Sequence, residues 1–340
     1  MTLATLLAAD IGGTKSELAI FQEEAGEYRR LCRKRYGNSQ FSGVEEILTH
    51  FLGEFPYRPL VACIAVAGVV TGDRVQLTNL PWLLDCRGLE RRFGFKRVLL
   101  INDLTAVATS LSHLQPDDLA EIQAGVRDEA ETRGIIAPGT GLGEGFLLEA
   151  EGRTFARGSE GGHCDFAPID DEQAALLAWM QKQQRPVSYE SLIAGPGLAH
   201  LYQFCKNYHG IPETVAVAAA MARAEDPIPI LVDAALSEDR CPLCAKVIEL
   251  FLSILGSETG NLALKLYARG GMYLGGGIVP RLFGKVSFAG FLQSFRAKGL
   301  MADFMLTIPV QVILRPDAAL LGAAHFGRAE FAGCLTHDLS

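Results

Sequence analysis

The sequence predicts an α/β protein of two domains, and three observations carry that expectation. Its length, 340 residues, is more than a single hydrophobic core comfortably serves. Short unbroken apolar runs such as Val98–Ile101 have the pattern of strands buried on both faces, not the alternation of a half-wet sheet. A strand, a glycine turn and a second strand also occur twice, as LLAADIGGTKSELAI and as GIIAPGTGLGEGFLL. Two such hairpins about a domain apart point to duplicated halves.

The most informative stretch is Arg97–Leu111. Val98 to Ile101 form a strand, Asn102 and Asp103 follow, and Leu104, Val107, Ala108 and Leu111 then recur at helical spacing. A carboxylate is thereby delivered to the C-terminal end of a buried strand, where open α/β sheets bind their ligands. On this stretch alone Asp103 has two readings. It is a helix cap, for which Asp and Asn are preferred, or a functional acid.

In chain order, Leu3–Ala9 is a strand that meets Asp10-Ile11-Gly12-Gly13-Thr14 and continues as Ser16–Phe21. The paired glycines let backbone N–H groups approach an anion, although a tight hairpin turn wants the same residues for conformational reasons. Leu60–Ala67 is a further strand, Thr71–Asp73 a turn, Leu77–Trp82 a polar-aromatic loop and Leu84–Phe93 a helix. Pro116–Arg133 is charged and suits a crossing between domains. The second hairpin turns at Gly139, Thr140, Gly141 and Gly143. After it, Glu160, His163 and Asp165 flank Gly161-Gly162, the polar concentration of a ligand loop.

Glu172–Gln184 is helical, and Glu190 precedes the punctuation Gly195-Pro196-Gly197. Ile230–Leu236 and Cys241–Ala268 are helical too, the second with Gly256, Gly260 and Asn261 where close packing or a ligand fits. The strand Met272–Leu274 runs into Gly275, Gly276 and Gly277, and Pro280 marks a helix start. That arrangement offers bare backbone to a flat or anionic ligand. A strand at Pro309–Leu314 and a helix at Asp317–Arg328 complete the chain.

Composition narrows the function. Forty-nine per cent apolar and 21% charged residues suit sheets covered on both sides. A net charge of −8 disfavours nucleic acid and anionic membrane as partners. The basic run Arg29, Arg30, Arg33, Lys34 and Arg35 is short and isolated, as in a solvated strand or loop. Eight cysteines scattered through apolar segments indicate reduced thiols and a cytoplasmic location. Cys241-Pro-Leu-Cys244 is a lone CxxC without a second pair at zinc-site spacing. The N-terminus has neither the basic region nor the cleavage site of a signal peptide, and no run reaches the roughly eighteen apolar residues of a membrane span.

With these pieces placed, the chain resembles the bacterial glucokinases of the hexokinase/actin-like ATPase superfamily over essentially its whole length. The resemblance rests on AADIGGTKSELAI, IAVAG followed by VTGD, TNLPW, LINDLTAVA, PGTGLGEG, SEGGHCDFAP, AGPGL, GNLAL and LGGGIVPR, in that order. It implies a two-lobed, ribonuclease H-like α/β fold with a cleft between a smaller domain, 1–113 plus 316–340, and a larger one, 114–315. It implies ATP and Mg²⁺ as cofactors, glucose as substrate and a homodimer.

Residue by residue, the resemblance places a first phosphate loop at Ala9, Asp10, Ile11, Gly12, Gly13 and Thr14 and a second at Gly139, Thr140 and Gly141. Gly275, Gly276 and Gly277 would meet the adenosine. Asn102, Asp103, Glu160, His163 and Glu190 match the sugar-contacting set, with Asp103 as the base that meets the transferred hydroxyl and Asn79 as a further sugar-side residue. Asp10 is the outer-shell contact to Mg²⁺. Two departures stand out: Lys15 replaces the Asn common after GGT, and the zinc-binding cysteines of ROK-type sugar kinases are missing, since only Cys164 lies beside the Glu-His pair. The chain therefore fits the non-ROK branch.

Phosphoryl transfer asks for positioning and charge neutralisation more than for covalent help. Two glycine hairpins can hold a triphosphate, and a carboxylate of ordinary basicity can orient the sugar 6-hydroxyl and accept its proton. Water is also a hydroxyl, so closure around the sugar is expected to guard against ATP hydrolysis. A sugar-sensing regulator that has lost catalysis is the alternative. The DNA-binding domain of such regulators has no room ahead of the first hairpin, and Asp103 with both phosphate turns argues for catalysis.

Overall fold

The computed structural model describes residues 5–24, 27–77, 80–126, 128, 130–150 and 153–336, without the side chains of 27, 153 and 332–336. The chain forms two compact units. One takes the chain up to Pro116, Gly145–Gly158 and the chain from Arg315 on, and the other takes Asp117–Glu144 and Ser159–Leu314.

The first unit contains β1 (Thr5–Ile11), β2 (Lys15–Glu24), β3 (Glu27–Gly37), α1 (Val44–Glu54), β4 (Val61–Val66), the ribbon β5 (Arg74–Gln76) and β6 (Leu83–Asp85), α2 (Cys86–Phe93), β7 (Arg97–Asn102) and α3 (Asp103–Ser110). Its sheet has the order β3-β2-β1-β4-β7. The first three strands are antiparallel, while β1, β4 and β7 are parallel. Every residue of β4 is buried, which explains its unbroken apolar run. Ala62, Ile64 and Val66 face a core shared with Ile47 and Phe51 of α1 and Leu89 of α2. Val61, Cys63 and Ala65 face the opposite core, with Leu320, Ala323 and Ala324 of the C-terminal helix. That helix approaches α3 so closely that a Cβ at Gly322 would overlap the Ala106 carbonyl.

The basic run is the solvated strand expected of it in part, with Arg29, Arg30 and Arg35 exposed. It lies in β3, where Arg30 and Arg33 pair with Asp317, and Arg33 and Arg35 pair with Glu17. Glu17 and Asp317 are buried, so these arginines neutralise inward-facing carboxylates.

The chain continues through β8 (Leu119–Gln123), β9 (Arg133–Pro138), β10 (Leu142–Ala150), β11 (Arg153–Ser159), α4 (Asp171–Met180), α5 (Glu190–Ile193), α6 (Gly195–Tyr208), α7 (Val215–Arg223), α8 (Ile228–Leu236) and α9 (Pro242–Leu266). After these come β12 (Gly271–Leu274), α10 (Val279–Leu282), α11 (Ala289–Arg296), α12 (Ala302–Thr307), β13 (Val310–Ile313) and α13 (Ala318–Thr336). The second sheet has the order β11-β10-β9-β12-β13-β8, with β9, β12 and β13 parallel and β8 antiparallel to β13. The charged crossing expected at Pro116–Arg133 thus contains an edge strand. Gly145–Gly158, within the expected large domain, clusters with the first unit. There the Gly158 N–H donates to Thr105 Oγ1 at 2.9 Å.

Helix α9 is long and apolar enough to cross a membrane by length and composition, yet 78% of its most apolar window is buried inside the protein. It is the core helix of the second unit. Its glycines serve packing: a Cβ at Gly256 would overlap the Phe291 carbonyl, and one at Gly260 would come 2.7 Å from the Phe295 carbonyl, both on α11.

Candidate active site

Parallel strands place their C-terminal ends together. In the first sheet Ile11 pairs with Val66, and Val66 pairs with Asn102. The turn after β1 and the start of α3 therefore share one sheet edge, two strands or about 10 Å apart. Ala9 and Ile11 are buried, so only their backbone can serve a ligand.

Within that first turn the Gly12 N–H donates to the Lys15 carbonyl at 3.0 Å. Asn38 braces it. Buried after β3, its Nδ2 donates to the Gly12 carbonyl at 2.8 Å, its Oδ1 accepts from Ser16 Oγ at 2.7 Å, and its backbone N–H donates to the Thr14 carbonyl at 3.0 Å. Asn38 is not among the residues singled out from sequence. Its only local sign is the Gly37-Asn38 pair ending a strand, and its partners are tertiary. Lys15 and Thr14 are exposed, and Asp10 is half-buried. Burial, followed by the negative charge of Glu17, pushes the Asp10 carboxyl up to about 6, while Lys15 and Arg35 oppose the shift. Glu17 is the register partner of Asp10 across the hairpin.

At the end of β7 the two readings of Asp103 separate. Asn102 is the cap: its Oδ1 accepts from the backbone N–H groups of Leu104 at 2.9 Å and Thr105 at 3.1 Å, and its Nδ2 donates to the Gly68 carbonyl at 3.1 Å. Gly68 sits at φ 123°, a backbone region that favours glycine. Asp103 occupies the first position of α3, half-buried, with Oδ1 2.9 Å from its neighbour's N–H. Among the described residues one amide N–H of Asn102 remains beyond these three bonds. A Cβ at Gly158 would overlap Asn102 Oδ1, so Gly158 is small to let the cap sit.

The second unit repeats the strand-end arrangement. Ile136 of β9 pairs with Leu274 of β12 in parallel, so Gly139–Gly141 and Gly275–Gly277 leave the same sheet edge. They are stitched together. The Gly275 N–H donates to the Ile136 carbonyl at 2.9 Å and the Gly277 N–H to the Pro138 carbonyl at 3.1 Å. Gly276 has φ 80°, and a Cβ there would overlap the Pro138 carbonyl. The Gly195 N–H, opening α6, donates to the Gly139 carbonyl at 2.7 Å. Thr140, Gly276 and Gly277 are exposed.

Glu190 joins this edge to the polar turn. Its Oε2 accepts from the Leu142 N–H at 2.8 Å, and a Cβ at Gly141 would lie 2.7 Å from the same oxygen. Its Oε1 is 3.8 Å from His163 Nδ1, while His163 Nε2 is 3.9 Å from Glu160 Oε2. The short helical turn Gly161–His163 closes with a 3.1 Å bond from the His163 N–H to the Glu160 carbonyl. It is tied to the segment before Glu190 by the Tyr189 N–H to the Cys164 carbonyl at 3.1 Å and the Phe166 N–H to the Val187 carbonyl at 2.9 Å. Glu160, His163 and Glu190 thus form one cluster of acceptors and an imidazole, the composition that hydroxyl-rich ligands require. Asn79 lies outside the described residues.

The structure therefore brings the predicted residues into two sets. Asp10–Thr14 with Asn102 and Asp103 form one; Gly139–Gly141 and Gly275–Gly277 with Glu160, His163 and Glu190 form the other. Cys241 and Cys244 lie apart from both, at the start of α9, where Cys241 Sγ accepts from Thr214 Oγ1 at 3.3 Å. Among the described residues no group of three His, Cys, Asp or Glu could hold a metal ion.

Residues 7–330 match the family profile described as Glucokinase. A glucokinase of Nostoc punctiforme is 36% identical over 339 residues, covering 95% of this chain and 98% of the relative. The crystal structure of a glucokinase from an Antarctic psychrotroph superposes with a TM-score of 0.81 at 30% identity, covering 96% of this chain and 100% of that one. A ROK family glucokinase from Streptomyces griseus, solved with glucose and AMPPNP, shares the fold with a TM-score of 0.65 at 20% identity, over 96% of this chain and 100% of its own.

Proposed function

This chain belongs to the glucokinase family, and from that membership we propose that it transfers the γ-phosphoryl group of ATP to the 6-hydroxyl of D-glucose, giving glucose 6-phosphate and ADP, the entry step of glycolysis. The observation that carries this is the pairing of glycine turns at two sheet edges with a strand-end carboxylate whose capping duty is performed by its neighbour Asn102.

In this mechanism Asp103 orients the 6-hydroxyl and accepts its proton as the phosphoryl group arrives. Glu160, His163 and Glu190 hold the remaining hydroxyls, and the one uncommitted N–H of Asn102 adds a donor. Glu160 and His163 are exposed in the free chain, so an acceptor left without its hydroxyl becomes costly once bound sugar covers it, which is how such a set discriminates between sugars. In Ala9–Thr14 and Gly139–Gly141 the backbone N–H groups left over from the sheet and the turns' own bonds serve the phosphates, and Gly275–Gly277 offer a bare surface to the adenosine. Their donors are fixed before the reaction, so little reorganisation accompanies the developing charge.

Asp10 fits an outer-shell role toward Mg²⁺, because burial and Glu17 destabilise its negative charge and a nearby cation relieves that. Asp10 would hold that ion through water, and the ion would supply neutralisation of the phosphate charge. The base belongs to the unit that takes the chain up to Pro116, Gly145–Gly158 and the chain from Arg315 on, and the sugar cluster to the unit of Asp117–Glu144 and Ser159–Leu314. Reduced cysteines, seven of them free among the described residues, support a cytoplasmic setting. A homodimer follows from the family resemblance.

The test is ADP release from MgATP with glucose, mannose, fructose or no sugar. Turnover that needs glucose supports the kinase. Turnover without sugar contradicts it, and glucose binding without turnover revives the sensor. Glu160→Ala is expected to weaken glucose binding; unchanged affinity would remove Glu160 from the site.

A further inference from the structure

Beneath the polar turn lies an acid that the mechanism above does not use. Glu144, in β10, is 2% exposed, and its Oε1 is buried with no hydrogen-bond partner among the described residues. Its Oε2 fills the space that a Cβ at Gly161 would need. The titratable groups facing it are Glu258 and Lys265, both on α9. The turn itself contributes Gly161 and carries Glu160 and His163 on either side.

Glu258 is also fully buried but better supported. Its Oε2 accepts from Asn261 Nδ2 at 2.9 Å, and Lys265 Nζ is 3.8 Å from its Oε1, which like that of Glu144 has no hydrogen-bond partner among the described residues; burial pushes this carboxyl up as well. Of the two carboxyls, Glu258 is the better placed to carry the negative charge, and Glu144 to keep a proton.

We propose that Glu144 is a positioning residue for sugar recognition: its buried carboxyl supports Gly161 and thereby sets where Glu160 and His163 stand. This rests on the assignment of Glu160 and His163 to glucose. Burial first, and then the charge of Glu258, pushes the Glu144 carboxyl up to about 7, within the working range of a cytoplasmic enzyme. Its neutral form suits the buried position. Its ionised form adds an unpaired charge beside Glu258, which is relieved by displacing the turn or admitting water. Glucose binding is therefore tightest with Glu144 protonated and weakens as pH rises through 7.

The experiment is calorimetric titration of the full-length enzyme with glucose from pH 6.5 to 8.5, comparing wild type with Glu144→Gln, which keeps the size and stays neutral. For wild type the glucose Kd is expected to rise about twofold to sixfold across this range, the span that a bound-state pKa about 0.5 to 1 unit higher produces. Any rise due to other groups persists in Glu144→Gln, and the Glu144 component is lost. The KM for MgATP stays the same in both, which a general loosening of the core would not permit. Parallel glucose profiles would overturn the proposal.

A second pair tests the contact itself. Gly161→Ala is expected to weaken glucose binding at least tenfold, and adding Glu144→Ala to recover most of that loss; additive losses, or a Gly161→Ala protein that binds normally, count against it. Glu160→Ala separates the two levels. If it leaves glucose affinity intact, the site assignment fails; if it weakens binding while the Glu144 profiles stay parallel, only the positioning role fails.

Discussion

The turns at Gly12–Thr14 and at Gly139–Gly141 close similar hairpins at the ends of similar sheets, yet they are braced by different chemistry. Asn38 holds the first with a neutral amide that satisfies one carbonyl and one hydroxyl. Its brace adds no charge, so the local electrostatics are left to Asp10 and Lys15. Glu190 holds the second with a carboxylate that accepts the Leu142 N–H and also faces His163. One oxygen serves the phosphate-side turn while the other serves the sugar-side cluster. The first turn can therefore be altered without touching sugar recognition, and the second cannot.

That difference can be broken by substitution. Of the substitutions at the two braces, Glu190→Ala should have the larger effect, because it orphans the Leu142 N–H and removes a neighbour of His163. Steady-state kinetics should show kcat/KM down by about two to three orders, with both the glucose and the MgATP parameters worse. A change confined to glucose would dissolve the coupling. Asn38→Ala should instead raise the KM for MgATP by roughly tenfold and leave the calorimetric glucose Kd unaltered. A shifted glucose Kd would mean that the first turn is not independent. Asn102→Ala removes the α3 cap, which should cost about 1 kcal/mol in denaturant unfolding, and it should weaken sugar binding as well.

The smallest effect sharpens the comparison through pH. The Asp10 carboxyl lies near 6 in the folded chain against an ordinary value of 3.8, so between these values the folded state holds more proton than the unfolded one. Stability is thereby lost as pH rises through this window, and the penalty is complete above about 6. Asp10→Asn removes it. Thermal melts should show the variant gaining a few degrees at pH 7.5 and nothing at pH 3.5, while its activity falls. An equal gain at both values would assign the effect to packing.

Much of this was legible in the chain because strands buried on both faces leave unbroken apolar runs and the turns that follow them need glycine. β4, β7, β9 and β12 and all three glycine turns announce themselves in that way. The edge strand β8 does not: its residues Leu119–Gln123 are mostly half-exposed and read as a charged crossing. Asn38 was invisible because its partners lie 22 to 26 residues away, and Glu144 because burial of a carboxyl leaves no periodic trace. For Asp103 the stretch itself held both cap and functional acid open. Only the direction of the Asn102 side chain assigned the cap to Asn102.

The most direct test is Asp103→Ala, followed by turnover, glucose affinity and melting temperature on the same preparation. With Asn102 still capping α3, the fold and the sugar site should persist: glucose Kd within roughly tenfold, melting little changed, and kcat lower by about two to four orders. If turnover survives within tenfold while glucose still binds, Asp103 is not the base, and the chemistry assigned to this strand end is wrong.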